Sequence, residues 1–396
     1  MARDDDQNTS ADGKGWGPNT LLAHAGLDPV AFHGFVNPPV VRASTVLFPG
    51  MDALSDRSGH PYPYGLTNTP TIEALTGALT ALDRAAGTVL VPSGLAAVTL
   101  AILVAVRPGA VILVPDNVYG PTRRFCDESL PAFGASVRYY DPLIGPCIAD
   151  LMEGVTGLFI ESPGSITFEM PDIPALVAAA RNAGVITMMD NTWATQLIYR
   201  PLDHGVDIAL YAGTKYLGGH SDLLLGSVSA NRSTWPALKR LHTNLGLQSG
   251  PDEIWLALRG MRTMGIRIER HEAQALEIAS WLQQRPEVSR VFHPALPGDP
   301  NHEIWKRDFG RSTGLFGFVL NSDIAGAKRF LDGLELFGLG YSWGGFESLA
   351  VLGELEKTRT VRPWTQGPVI RIHIGLEDVD DLKADLERGF AVMRAG

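Results

Sequence analysis

A lysine, an aspartate, a tyrosine and a glycine-led turn each follow a short apolar run of this sequence. The apolar runs cover residues 88–91, 110–114, 157–160, 185–189 and 207–211. The residues that follow them are, in the same order, Ser93-Gly94-Leu95, Asp116-Asn117-Val118-Tyr119, Glu161-Ser162-Pro163, Asp190-Asn191-Thr192 and Thr214-Lys215. Ligands of open α/β sheets bind at the carboxyl ends of the strands, so we expect these side chains to meet at one edge of a sheet.

Each of these groups suggests a chemical role. A lysine such as Lys215, near the end of an apolar strand, tends to lose its charge and become a nucleophilic amine. A carboxylate such as Asp190 is unfavourable there unless it meets a cation. A helix that begins near Gly94 favours an anion at its N-terminus, and Tyr119 offers a ring for stacking. Taken singly, each is equally compatible with a surface lysine, an ordinary helix cap or a packed aromatic.

Together the four groups match the needs of pyridoxal phosphate. This cofactor requires an amine for its aldehyde, an acid for its ring nitrogen, an aromatic ring on its face and an anion site for its phosphate. Other catalytic patterns are incomplete. His271-Glu272 lacks the second histidine of a zinc-protease motif, residues 219–223 lack the last glycine of a nucleophile elbow, and no GxGxxG occurs. These gaps argue against a metal site, a serine hydrolase and a dinucleotide enzyme.

The elements that must position these groups alternate between strand and helix. Near-continuous apolar strands separated by helices predict a mostly parallel sheet that is covered on both faces. After Trp255 the pattern changes to long amphipathic helices, alternating strands at 314–320 and 369–375, and a last helix at 379–393. We therefore expect three parts, which are an N-terminal arm and extended segment (1–60), a cofactor-binding α/β domain (61–256) and a smaller C-terminal α+β domain (257–396).

Composition narrows the class of protein. The 396 residues include 33 Lys and Arg against 43 Asp and Glu, a net charge of −10, which disfavours binding to nucleic acid or to an anionic membrane. No run of about 18 apolar residues predicts a spanning helix, and the polar start of the chain predicts no secretory signal. The two cysteines, Cys126 and Cys147, cannot form a disulfide framework. We expect a cytoplasmic enzyme acting on a small molecule.

The sequence resembles the Cys/Met-metabolism family of pyridoxal-phosphate enzymes, of fold type I, from about Thr20 onward. The matching segments are NPPVVRASTVLF, DPLIG, ESPGSIT, MDNTWA, TKYLGGHSD, HPALPG, WKRDF, YSWGGFESL and IRIHIGLEDVDDL. The resemblance implies a carbon–sulfur lyase that forms a homotetramer, a dimer of dimers with shared active sites. The Tyr341-Ser342-Trp343 segment is similar to the branch that converts L-cystathionine by β-elimination to homocysteine, pyruvate and ammonia.

The resemblance also implies roles for individual residues. Lys215 would bond to the cofactor and then move protons, with Tyr119 and Tyr64 as the other catalytic residues. The implied cofactor-binding residues are Lys215, Asp190, Tyr119, Ser93, Gly94, Leu95, Thr214 and, from the neighbouring subunit, Tyr64. The implied substrate-binding residues are Arg371, which would hold the α-carboxylate, with Ser342, Trp343 and Tyr119 beside it. No metal is implied.

Three positions depart from the family pattern. Leu66 stands where the family usually has an arginine that reaches the phosphate of a neighbouring subunit, and Ala212 stands where many relatives have a serine. Asn68 replaces a glycine, a milder change because asparagine tolerates a left-handed conformation. The loss of a charge-assisted contact costs about 1.5–3 kcal/mol unless another group, such as Arg57, replaces it.

Three alternative functions remain open at this point. A γ-eliminating or γ-replacing relative, such as a methionine γ-lyase or a cystathionine γ-lyase or γ-synthase, would use the same cofactor groups, and Trp343 argues against it. A homologue that binds the cofactor with reduced catalysis is suggested by Leu66. A nicotinamide-dependent dehydrogenase would need a glycine fingerprint that the sequence lacks.

Overall fold

The computed structural model describes residues 15–56, 60–355 and 358–395, and its larger sheet is formed by strands between residues 87 and 230. Seven strands form this sheet, in the spatial order β1-β7-β6-β5-β4-β2-β3. Their bounds are β1 Gly87–Val91, β2 Ala110–Pro115, β3 Ala135–Tyr140, β4 Val155–Glu161, β5 Ile186–Asp190, β6 Ile208–Ala212 and β7 Gly226–Ala230. Strands β2 to β6 pair in parallel, whereas β7 runs antiparallel to both of its neighbours.

A second sheet of five strands follows in the C-terminal part of the chain. Its strands are β8 Val288–Phe292, β9 Leu315–Leu320, β10 Gly338–Leu339, β11 Leu349–Leu352 and β12 Val369–His373, in the spatial order β10-β11-β12-β9-β8. Strand β12 pairs antiparallel with both β9 and β11. The two sheets lie on either side of the boundary predicted near residue 256, and the exact domain limits stay a prediction.

Side-chain caps mark the start of some of the helices. Their bounds are α1 Pro18–His24, α2 Met51–Ser55, α3 Pro70–Asp83, α4 Gly94–Val104, α5 Gly120–Arg124, α6 Ile173–Ala183, α7 Thr195–Ile198, α8 Trp235–Leu245, α9 Pro251–Met261, α10 Met264–Leu282, α11 His302–Asp308, α12 Ile324–Asp332 and α13 Val379–Ala395. Thr69 and Ser93 accept the backbone N–H groups of Ile72 and Ala96, which fixes where α3 and α4 begin. None of the helices within the described ranges is long and apolar enough to cross a membrane.

The expected α/β fold is confirmed, but the sequence predicted neither β3 nor β7 of the large sheet, nor β8, β10 and β11 of the small sheet. The predicted strands, the helix that begins near Gly94 and the last helix all appear within a few residues of their expected bounds. Strand β3 was missed because it is a half-exposed edge strand with Arg138 and Tyr139 among its residues. Strand β7, with the sequence GSVSA, was missed because Ser227 and Ser229 make it look polar although it is fully buried.

Buried polar contacts join the two sheets around the strand ends. The Trp193 indole, just after β5, donates to the carbonyl of Leu315 at 2.9 Å, and the Tyr216 hydroxyl accepts the N–H of Gly314 at 3.0 Å. Strand β9 is therefore held against the carboxyl edge of the large sheet. Any site at that edge has walls from both sheets.

Candidate active site

A cavity of about 370 Å³ opens where the carboxyl edge of the large sheet meets the small sheet. Most of the predicted site residues line it. These are Ser93, Gly94, Leu95, Tyr119, Asp190, Thr214, Lys215, Ser342, Trp343 and Arg371. Tyr64 is the predicted residue that is not part of this lining, and its side chain is 47% exposed. The chain therefore brings together ten of the predicted residues by itself and leaves Tyr64 facing outward.

The amine of Lys215 lies at the centre of the cavity wall with a hydroxyl beside it. Its Nζ is 2.6 Å from the Ser342 Oγ and 5.2 Å from the centroid of the Trp343 ring. Burial, with the positive charge of Arg371 second, lowers the pKa of Lys215 to about 8, against a smaller opposing effect of Asp190. A larger fraction of this amine is uncharged near neutral pH than of an ordinary lysine, so it can act as a base or a nucleophile.

Arg371 presents an open guanidinium to the same cavity. Strand β12 carries it, and its Nη2 donates to the carbonyl of Ser342 at 3.0 Å while its buried Nε has no protein partner. Burial lowers the pKa of Arg371 to about 10, which still leaves it charged at neutral pH. An unfilled, planar donor of this kind fits a carboxylate.

Ser342 connects these two cationic groups through a strained backbone. Its hydroxyl contacts Lys215 and its carbonyl accepts from Arg371, while its φ is +79°. Non-glycine residues rarely adopt positive φ, and such strain concentrates at functional sites. The segment that carries Trp343 is thus fixed to both groups.

Two buried carboxyl groups line one end of the cavity. Asp190 and Glu161 end adjacent parallel strands and are register partners, so their side chains share a face. Burial raises the pKa of both, and for Glu161 the charge of Asp190 adds to the effect. Thr192 donates its N–H to Asp190 at 3.0 Å, and Tyr119 donates its N–H to Glu161 at 3.0 Å. A proton or a cation on the cavity side of this carboxyl pair is therefore favourable.

Tyr119 lies at the opening of the cavity. Its side chain is 43% exposed, and burial of the remainder raises its pKa, so its hydroxyl stays protonated at neutral pH. The backbone bond to Glu161 fixes the position from which the ring projects. A ring held in this way is suited to stack on a flat ligand.

The opposite end of the cavity begins at the N-terminus of α4. Gly94 and Leu95 open this helix, and the N–H groups of a first turn have no intrahelical acceptor. A Cβ at Gly94 would lie 2.5 Å from the Cβ of Ala212, so only glycine fits there. The Thr214 hydroxyl bonds with the backbone of Leu225, accepting its N–H at 3.1 Å. The backbone N–H groups of this first turn and the dipole of α4 make this part of the cavity suited to an anion.

The comparisons with known proteins agree on one family. The family model for Cys/Met metabolism PLP-dependent enzymes matches residues 19–391. The chain belongs to this family. It is 55% identical, over 96% of the chain and 97% of the relative, to a Rhizobium johnstonii protein named "Putative cystathionine beta-lyase". It is 41% identical, over 94% of the chain and 98% of the relative, to Cystathionine beta-lyase MetC of Escherichia coli.

The fold type I assignment is confirmed by solved structures. The crystal structure of cystathionine γ-synthase from Xanthomonas oryzae pv. oryzae, in complex with aminoacrylate and cysteine, matches with a TM-score of 0.90 and 29% identity. The match covers 96% of this chain and 99% of that one. The chain is accordingly a pyridoxal-phosphate enzyme.

The residues of the cavity fit this cofactor. Asp190 and Glu161 would supply the negative site that a protonated ring nitrogen needs, Lys215 would supply the amine, and the first turn of α4 would supply donors for a phosphate. Among the described residues, no group of three or more His, Cys, Asp or Glu side chains is arranged to hold a metal ion.

Sequence reasoning assigned no role to Glu161, although it ends an apolar strand as Asp190 does. Its position directly before Ser162-Pro163, at the carboxyl end of a parallel strand, was the available signal. Thr192, which binds Asp190 and accepts the Ala212 N–H at 2.9 Å, was also left without a role. Glu161 accepts the N–H of Tyr119, and Thr192 donates to Asp190, so both contact residues that the sequence did identify.

Proposed function

We propose that this protein cleaves the Cβ–S bond of L-cystathionine, with water, to homocysteine, pyruvate and ammonia. The observation that carries the proposal is the Lys215–Ser342–Arg371 arrangement. It places a base of lowered pKa beside an open carboxylate-binding guanidinium, bridged by one serine. The relatives at 55% and 41% identity, both named as cystathionine β-lyases, support this reaction over others of the family.

The chain's own groups divide the work of such a reaction. Bound pyridoxal phosphate supplies an electron-accepting ring that stabilises negative charge at the substrate Cα. Arg371 holds the substrate α-carboxylate through its free donors, which fixes the orientation of the Cα–H bond. Lys215, once its amine is free, removes the Cα proton, and its pKa of about 8 makes it a competent base near neutral pH.

The remaining residues set the charge of the ring nitrogen and the position of the Lys215 amine. Asp190, with Glu161 behind it, keeps the ring nitrogen protonated, since a buried acid pair of this kind is stabilised by a shared positive charge. Ser342 holds the Lys215 amine on the substrate side. The proton that Lys215 has taken is then available to the departing sulfur of homocysteine.

Identification of the 2-oxo acid tests this function. The holoenzyme is incubated with L-cystathionine, and pyruvate together with homocysteine is the expected result. 2-Oxobutyrate together with cysteine would assign the protein to the γ-eliminating branch, the alternative suggested by the γ-synthase fold match. The Lys215→Ala variant is the control, because it keeps Arg371 and Asp190 but lacks the base, and we expect no turnover above background.

We also propose a homotetramer in the cytoplasm. Several large apolar side chains in the N-terminal part of the chain are exposed, namely Val30, Phe35, Leu47, Met51, Tyr64 and Leu66, and exposed apolar surface of this kind supports contact with another copy. The free thiols of Cys126 and Cys147 fit a reducing compartment. Light scattering should give four times the chain mass of 42.7 kDa, and a monomer mass would contradict the assembly.

A further inference from the structure

A buried ion cluster lies beside the cavity, outside the residues that the proposed reaction uses. It contains Asp116, Arg123, Glu169 and Arg359. The side chains of Arg359 and Asp116 are 2% and 0% exposed. Buried charges are tolerated only when they are paired and hydrogen-bonded in good geometry, so a cluster like this fixes whatever it touches.

Arg359 is the member that spans three segments. It lies between β11 and β12, and it donates to the Thr167 Oγ1 at 2.8 Å, to the Glu169 Oε1 at 2.9 Å and to the Asp116 Oδ2 at 3.4 Å. Asp116 directly follows β2, and Thr167 and Glu169 follow β4. One side chain from the connection within the small sheet thus joins two strand-end loops of the large sheet.

One of these loops is strained where it forms the cavity wall. Ile166 and Phe168 both line the cavity, and their φ angles are +68° and +54°. A β-branched residue at positive φ is unfavourable and persists only where its surroundings hold it. Thr167 lies between the two, and its hydroxyl donates to Glu169 while it accepts from Arg359. The cluster therefore holds the residue at the centre of the strained wall.

The same wall packs closely on the small sheet. A Cβ at Gly353 would lie 2.6 Å from the Ile166 Cγ2, and one at Gly317 would lie 3.0 Å from the Ile166 carbonyl. Gly317 is the register partner of Arg371. Displacement of the wall would change the space beside Arg371, whereas Arg371 itself is held by its own strand and by the Ser342 carbonyl.

We propose that Arg359 is a positioning residue that sets selectivity for the substrate side chain by holding Ile166 and Phe168 in their strained conformation. The substrate is an α-amino acid, so this inference rests on the proposed function for the class of ligand. The carboxylate of that amino acid is bound by Arg371 and the side chain by the apolar wall. Loss of Arg359 should therefore weaken binding of a long side chain and spare binding of the shared amino-acid group.

The test compares two amino acids that lack a leaving group. Glycine and L-norleucine are titrated into holoenzyme, and the change in visible absorption gives each dissociation constant. For Arg359→Met we expect the constant for norleucine to rise at least tenfold and that for glycine to change less than twofold. Arg123→Met is the matched control, because Arg123 belongs to the same cluster but donates to Asp116 and Thr360 rather than to Thr167 and Glu169. It should change both constants less than twofold.

A second variant keeps the test decisive if Arg359→Met does not fold. Thr167→Val removes the hydroxyl at nearly constant shape, and we expect a threefold to fivefold rise in the norleucine constant alone. Equal changes for glycine and norleucine, or no change for either, would overturn the proposal. Because these are binding measurements, a failure to cleave L-cystathionine would count against the proposed function and leave this result intact.

Discussion

The two ends of the cavity are built in different ways. At one end, Asp190 and Glu161 supply buried carboxyl groups from adjacent strands of the same chain, with Thr192 donating to one of them. At the other end, the first turn of α4 faces Ala212, and its charge comes from backbone groups. We infer that the groups that would face the ring nitrogen come from one chain, whereas those that would face the phosphate are, among the described residues, backbone N–H groups and neutral hydroxyls without a cationic side chain.

The largest expected effect comes from the carboxyl end. Asp190→Asn removes the negative charge that favours a protonated ring nitrogen, and we expect kcat to fall by about 10²–10³-fold, the range seen when one key electrostatic group is removed. Steady-state kinetics on L-cystathionine measure this. Glu161→Gln, which keeps an acceptor for the Tyr119 N–H, should retain at least a tenth of the activity. A larger loss in Glu161→Gln than in Asp190→Asn would reverse the assignment of the two acids.

The next effect is the dependence of kcat on pH. The uncharged form of Lys215 is the base, and its fraction increases as pH rises through its pKa of about 8. We expect kcat to rise about tenfold per pH unit below 8 and to level off above it. The profile should be the same in a variant of the phosphate end, since the lowering comes from burial and from Arg371. A kcat that stays flat between pH 6 and 8 would contradict this role.

The phosphate end is tested by restoring a charge. Leu66 is 44% exposed, and its carbonyl accepts from the Gln248 amide at 3.1 Å. If a neighbouring copy brings this position to the phosphate, Leu66→Arg should lower the dissociation constant of the cofactor about tenfold, since a charge-assisted hydrogen bond contributes about 1.5 kcal/mol. Fluorescence titration after dialysis measures the constant. Leu66→Met is the uncharged control, and equal constants for the two variants would show that position 66 does not reach the phosphate.

The smallest effect concerns position 212. Ala212→Ser adds a neutral donor to the lining near Gly94, and we expect the cofactor constant to fall about threefold, as one hydrogen bond of roughly 0.7 kcal/mol provides. A cofactor constant that rises in Ala212→Ser would mean that this end is already filled by other contacts.

Sequence alone predicted the strand ends well and the contacts between distant segments poorly. Lys215, Asp190 and Gly94 each follow an apolar run, and a parallel sheet then necessarily brings them to one edge. Arg371 and Ser342 came from the resemblance, because nothing in the spacing of residues 342 and 371 shows that one would donate to the carbonyl of the other. The role of Arg359 depends on Asp116, which lies 243 positions earlier in the chain.

Tyr64 is a prediction that one chain does not test, since its side chain faces away from the cavity of that chain. Arg57, suggested as a replacement for the missing arginine, lies outside the described residues, as does the start of the N-terminal arm. The Leu66 variants therefore test how the phosphate is bound.

The place of β7 in the large sheet has a consequence for synthesis on the ribosome. Strand β1 pairs with β7 alone, and β7 ends at Ala230, long after β1 has been made. At about 5–20 residues per second, about 7–28 seconds pass between the synthesis of β1 and that of β7. A nascent chain that stops short of Gly226 therefore contains Lys215 but lacks the strand that pairs with β1, which directly precedes the first turn of α4.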